Sequence, residues 1–172
     1  MFLDGHDSQP PQHLFGIPEG ASGVKVTLRL MRRLVQQFKK DATIRNTAAG
    51  MIQRLDQKDW EGEINTLFQF VRDHIRYMRD VRGVETVQTP VATLTRGYGD
   101  CDDKSTLLAS LLESVGHPTR FVAIGRTPNS FSHVYVETRV GTRWIGLEAT
   151  EPVAMGWKPP RDAFPSRMIV HN

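Results

Sequence analysis

The chain has 172 residues, a single cysteine, 39% hydrophobic and 24% charged residues, and a formal net charge of +3. These values describe an ordinary globular domain that can bury a core without disulfides or metal, and they exclude a disordered chain and a disulfide scaffold. No apolar run approaches the roughly 18 residues of a membrane span, and the acidic start with Asp4, Asp7 and Pro10-Pro11 lacks the basic and apolar regions of a signal peptide, so the expectation is a cytoplasmic protein without a membrane partner.

Residues 1–23 are polar and rich in Pro and Gly and read as a flexible N-terminal arm, ahead of a single domain over 24–172. His6 and His13, near Asp4 and Asp7, lack zinc-type spacing and read as surface histidines. A first helix over 24–40 carries the apolar stripe Val24, Leu28, Met31, Val35 and Phe38, at spacings of 4, 3, 4 and 3. Its Lys25, Arg29, Arg32, Arg33, Lys39 and Lys40 form a solvated basic face. No aromatic interleaves them to stack on bases, which argues against a nucleic-acid partner. A second helical stretch runs from Thr43 to about Leu55.

Asp59 caps a third helix, with Glu61 and Glu63 in its first turn and Trp60, Ile64, Leu67, Phe68, Val71 and Ile75 along one side. Tyr77 to Thr95 reads as irregular, because Thr89-Pro90 rules out a central strand. A fourth helix starts at Asp100, its N-cap, and presents Leu107, Leu108, Leu111, Leu112 and Val115 on one face. Gly116 and His117-Pro118 end it.

The rhythm then changes to strands. Phe121-Val122-Ala123-Ile124 suits a strand covered on both faces, and Phe131–Val140 and Arg143–Leu147 alternate around Gly141-Thr142, the signature of a type II′ hairpin. Past Glu151-Pro152 the chain is loop-like, with a last short strand over Met168–Val170. Helices first and strands later predict an α+β domain.

Cys101 stands in Gly97-Tyr98-Gly99-Asp100-Cys101-Asp102-Asp103-Lys104, at the start of the fourth helix. Glycines on the approach let a substrate come close, and free amides with a positive dipole end favour a thiolate. Asp102 and Asp103 oppose it, so a base is needed. The hairpin supplies one: pairing Val140 with Arg143 puts Glu148 opposite Tyr135 and His133 opposite Thr150, which sets Glu148 and His133 on one face as diagonal neighbours about 7 Å apart at the backbone. Glu148 can then orient His133, and a thiolate–imidazolium pair would overcome the aspartates. This is the logic of a nucleophile triad.

Gly99-Asp100-Cys101-Asp102-Asp103-Lys104, Phe131-Ser132-His133-Val134-Tyr135-Val136-Glu137 and Trp144-Ile145-Gly146-Leu147-Glu148-Ala149-Thr150 together resemble the transglutaminase-like superfamily, in particular its compact bacterial and phage members, over about residues 60–152. The resemblance implies a papain-like α+β core in which a nucleophile-bearing helix packs on an antiparallel sheet. It makes Cys101 the nucleophile, His133 the base and acid, and Glu148 the acidic member, where the family usually has aspartate. The expected chemistry is acyl transfer through a thioester on a peptide or protein substrate. Water as acceptor gives a cysteine peptidase or amidase, an amine gives a crosslinking transferase, and a non-catalytic binding or phage-assembly module is the rival. The Cys101 amide is one expected oxyanion donor. Tyr77 and Trp60 are candidates for the second, and Tyr98, Gly99 and Trp144 for a substrate groove. Nothing resembles a calcium loop, so no metal or other cofactor is expected.

Overall fold

Four side chains start four helices by accepting hydrogen bonds from amides that the first turn leaves free. Asp41 does so for Thr43 and Ile44, Asp59 for Gly62, Thr89 for Ala92, and Asp100 for Asp102 and Asp103. The computed structural model describes residues 13–14, 21–79, 86–128 and 130–172. Its helices are α1 (Ala21–Phe38), α2 (Ala42–Ile52), α3 (Trp60–His74), α4 (Pro90–Arg96) and α5 (Cys101–Ser114). Most of the expected arm, including Asp4, His6 and Asp7, lies outside the described residues.

The helix α4 lies, but for Arg96, within the stretch Tyr77 to Thr95 that the sequence predicts to be irregular. Pro90 takes the first helical position, where its missing N–H costs nothing and its fixed φ suits the helix; Gly97, at φ 70°, ends it. Short strands flank it. His13–Leu14 (β1) pairs antiparallel with Thr86–Val87 (β3), and Arg76–Tyr77 (β2) pairs parallel with Tyr98–Gly99 (β4). The main sheet joins β5 (Thr119–Thr127), β6 (Ser130–Val140), β7 (Arg143–Leu147) and β8 (Ser166–His171) in the order β7-β6-β5-β8, all antiparallel.

The β6–β7 register runs from Val140 opposite Arg143 to Val136 opposite Leu147, as the turn composition predicts. Gly141 has φ 59° while Thr142 keeps an ordinary φ, which suits a type II′ turn. Alternation then sorts the faces. Phe121, Ala123, Val134 and Val136 join the core formed with α1, α2, α3 and α5, whereas Val122, Ile124 and Tyr135 form a small cluster on the other face under Phe164. Trp60, expected in the core, is 56% exposed. It is the first residue of α3, before the helix meets its neighbours, and it lines a cleft with Glu63 and His117 beyond the C-terminal end of α5.

Candidate active site

His133 lies on the outer face of β6, across from Ile124, and its Nε2 is 2.6 Å from Glu148 Oε2. Glu148 follows directly after the last paired residue of β7, so strand alternation turns it away from the Leu147 side. The carboxylate is 1% exposed, and its second oxygen accepts from the Thr150 amide at 2.9 Å and the Thr150 hydroxyl at 2.7 Å. Burial pushes the carboxyl up, but the hydrogen bond and charge of His133, with both Thr150 donors, hold it below the ordinary glutamate value. Glu148 is therefore ionised at neutral pH. One imidazole nitrogen is committed to it and the other is left available.

Cys101 reaches the same region from the helix layer. β7 stops pairing after Leu147, which leaves the β6 main chain beyond Val136 without a β7 partner. The start of α5 occupies that edge. Ser105 Oγ donates to the Val134 carbonyl at 3.3 Å, and the Cys101 thiol donates to Asp102 Oδ1 at 3.6 Å with the Val134 backbone close enough to favour its thiolate. The thiol thus meets the residue next to His133. Asp100 and Asp103 fix this helix start as a capping box, and Asp103, buried, also accepts from the Gln88 amide and side chain at 2.7 Å each.

Burial raises the pKa of the thiol well above the ordinary cysteine value, and Asp102 and Asp100 add to the rise, outweighing the Val134 backbone. Burial and the nearby aspartates both work against a thiolate at Cys101.

The β2–β4 pairing carries Tyr77 to this point, opposite Gly99, with the Met78 amide bonded to the Gly99 carbonyl at 2.9 Å. Gly99 is needed here, since a Cβ would sit 2.5 Å from that of Asp103. Tyr77 is close enough to Cys101 for a thiolate there to act on its hydroxyl, and it lines a cleft of about 500 Å³ together with His133 and Glu148. Burial raises the Tyr77 hydroxyl above its ordinary value despite a hydrogen bond with Arg79, so it remains a proton donor. Tyr98 is half-buried, and its carbonyl accepts from Gln88 at 3.4 Å. Trp144 is elsewhere: paired with Arg139 near the hairpin turn, it lies under the Arg120 guanidinium at 4.2 Å and against His171. Nor does Trp60 come near, since it sits at the other end of α5. The cleft instead draws Arg79, Arg126, Trp157 and Phe164 from separate loops and strand ends, which local spacing does not reveal.

A sequence profile of the Transglutaminase-like superfamily matches residues 45–149, well over half of the chain. The chain belongs to this superfamily. The matched span holds the Cys101 helix, the His133 strand and Glu148. No curated protein matches the sequence. Among solved structures, the transglutaminase-like chain is similar to a candidate protease from Parabacteroides distasonis (TM-score 0.64, 14% identity, 86% of this chain and 29% of that one). It is also similar to a candidate cysteine protease from Cytophaga hutchinsonii (0.54, 16%, 83% and 51%) and to calcium-bound LapG from Legionella pneumophila (0.51, 19%, 74% and 75%). It thus spans under a third of the first of these and about half of the second. The mixed architecture, helices packed on an antiparallel sheet, is the one these transglutaminase-like neighbours share.

Proposed function

We propose that the protein catalyses thiol-dependent acyl transfer from an amide or peptide bond, with water as the acceptor, making it a cysteine peptidase or amidase. The observation that carries this reading is the 2.6 Å contact between His133 Nε2 and the ionised Glu148, with the Cys101 thiol close to Val134, the next residue along the strand. Glu148 fixes the tautomer that leaves the second imidazole nitrogen unprotonated and able to accept the Cys101 proton.

In the first step the Cys101 sulfur adds to the carbonyl carbon as its proton passes to His133. The oxyanion is met by the Cys101 amide, which has no intrahelical partner, and by the Tyr77 hydroxyl as the second donor. Collapse breaks the C–N bond, and His133 returns the proton to the leaving amine. Water, deprotonated by His133, then cleaves the thioester, releasing the acid and restoring the thiol. The transition state holds an imidazolium beside Glu148, which is where a buried negative charge stabilises it.

Water is favoured over an amine by the neighbours designated as candidate proteases, the two with the highest TM-scores above. The test is a peptide library with and without an added primary amine, read by mass spectrometry. The expected product is the free acid, formed by the wild type and absent with Cys101→Ala. Predominant amine incorporation would reassign the enzyme as a transferase, and turnover surviving in Cys101→Ala would overturn the reading.

A further inference from the structure

The cleft beside His133 carries charge that the chemistry above does not use. Arg79 and Arg126 both line it, and Trp157 and Phe164 supply apolar surface beside them. Neither guanidinium pairs with a carboxylate among the described residues, whereas Arg72, Arg120 and Arg143 each stand by one. Arg79 bonds the Tyr77 hydroxyl, and Arg126 lies 5.7 Å over the Phe164 ring, so each keeps N–H donors unspent. Among the described residues, the carboxylates that line the cleft are Glu148, already held by His133 and Thr150, and Glu151, exposed and in no ion pair, while Asp100 also acts on Tyr77. Two permanent positive charges therefore line a cleft whose described lining holds one unengaged carboxylate, Glu151.

We infer that this cleft binds a carboxylate of the substrate through Arg79 and Arg126, with a neighbouring apolar side chain against Trp157 and Phe164. The inference rests on the catalytic reading for where the scissile bond lies, but not for the binding itself. Planar guanidiniums match a carboxylate through paired hydrogen bonds, and arginine keeps its charge at any working pH. Stacking of Arg126 on Phe164 restricts its rotamers and reduces the ordering needed on binding. The carboxylate can come from an acidic side chain or from a free C-terminus, and the chemistry is common to both.

The experiment uses the full chain with Cys101→Ala, so that ligand is bound without turnover, and follows Trp157 fluorescence and calorimetry. Four matched peptides are compared, each with a Leu beside the variable residue: Glu amidated, Gln amidated, Gln with a free C-terminus, and Lys amidated. One of the two carboxylate peptides is expected to bind about tenfold tighter than amidated Gln, which identifies the source, and the advantage should shrink as salt is raised. Arg126→Glu and Arg79→Glu, both at exposed positions, are expected to remove the advantage and to favour Lys; Arg126→Gln controls for the reversal itself. Equal binding of all four peptides, or binding of none, overturns the inference. Selective binding by Cys101→Ala combined with no cleavage by the wild type leaves the carboxylate site standing and removes the catalytic reading instead.

Discussion

Lys104 Nζ lies 2.5 Å from the Ile75 carbonyl and 3.3 Å from that of Arg72, so the helix that begins at Cys101 also caps the end of α3. Burial lowers the Lys104 pKa to about 8, against the attraction of Asp73 and Glu148. Between that value and the ordinary lysine pKa of about 10.4, the unfolded chain binds a proton that the native state does not, so stability contributed by this site rises with pH. The slope is at most about 1.4 kcal/mol per pH unit. Urea unfolding from pH 7.5 to 10.5 should show wild type gaining on Lys104→Met as pH rises. A constant difference would refute this account of Lys104.

Glu148→Gln should retain the fold while kcat/KM falls by roughly 10²–10⁴, because the amide can donate to Nε2 and select the wrong tautomer. Glu148→Asp, shorter by one methylene, should recover part of the loss. The carboxyl is depressed in the folded state, so its stabilisation is present above the ordinary glutamate pKa of about 4.3 and fades as pH falls through the lower folded value. Acid titration followed by circular dichroism should show this component in wild type and not in Glu148→Gln.

Asp102→Asn should make Cys101 more reactive. Asp102 is the largest charge contribution to the raised thiol pKa, after burial itself. Each unit of pKa lowered gives about tenfold more thiolate at a pH below the pKa, so iodoacetamide alkylation at pH 8 should speed up by about three- to tenfold. An unchanged rate would show that burial alone controls the thiol.

Gly125→Ala should be strongly destabilising, by about 3 kcal/mol or more, because its Cβ would collide with the Ser130 carbonyl where the β5–β6 pairing shifts register. Chemical denaturation measures this directly. Gly50→Ala, with nothing near its Cβ and a helical position, should instead hold or raise stability.

The contact between His133 and Glu148 could be read from the chain because a two-residue turn sets the pairing of everything near it, and alternation sets the face. The Asp59 and Asp100 caps were legible for a similar reason, as each rests on side chains within three residues. The short helix from Pro90 was missed by weighing Thr89-Pro90 only against strand, although a threonine cap followed by proline is a helix-start signal. Helical spacing put Trp60 on the apolar side of α3 and made it a candidate donor, and Trp144 was expected in the groove. Where each falls along its element decided otherwise, at a helix start and near a hairpin turn. The loop residues Arg79, Arg126, Trp157 and Phe164 converge through tertiary packing, which leaves no periodic trace.

The turn at Gly141-Thr142 acts as a spacer of fixed count. One residue added or removed there would exchange the two sides of the following strand and bring Leu147 or Ala149 beneath the imidazole, hydrocarbon in place of an acceptor. Over 153–165 no strand ladder keeps the tally, so a change of length there leaves the sides of the sheet as they are.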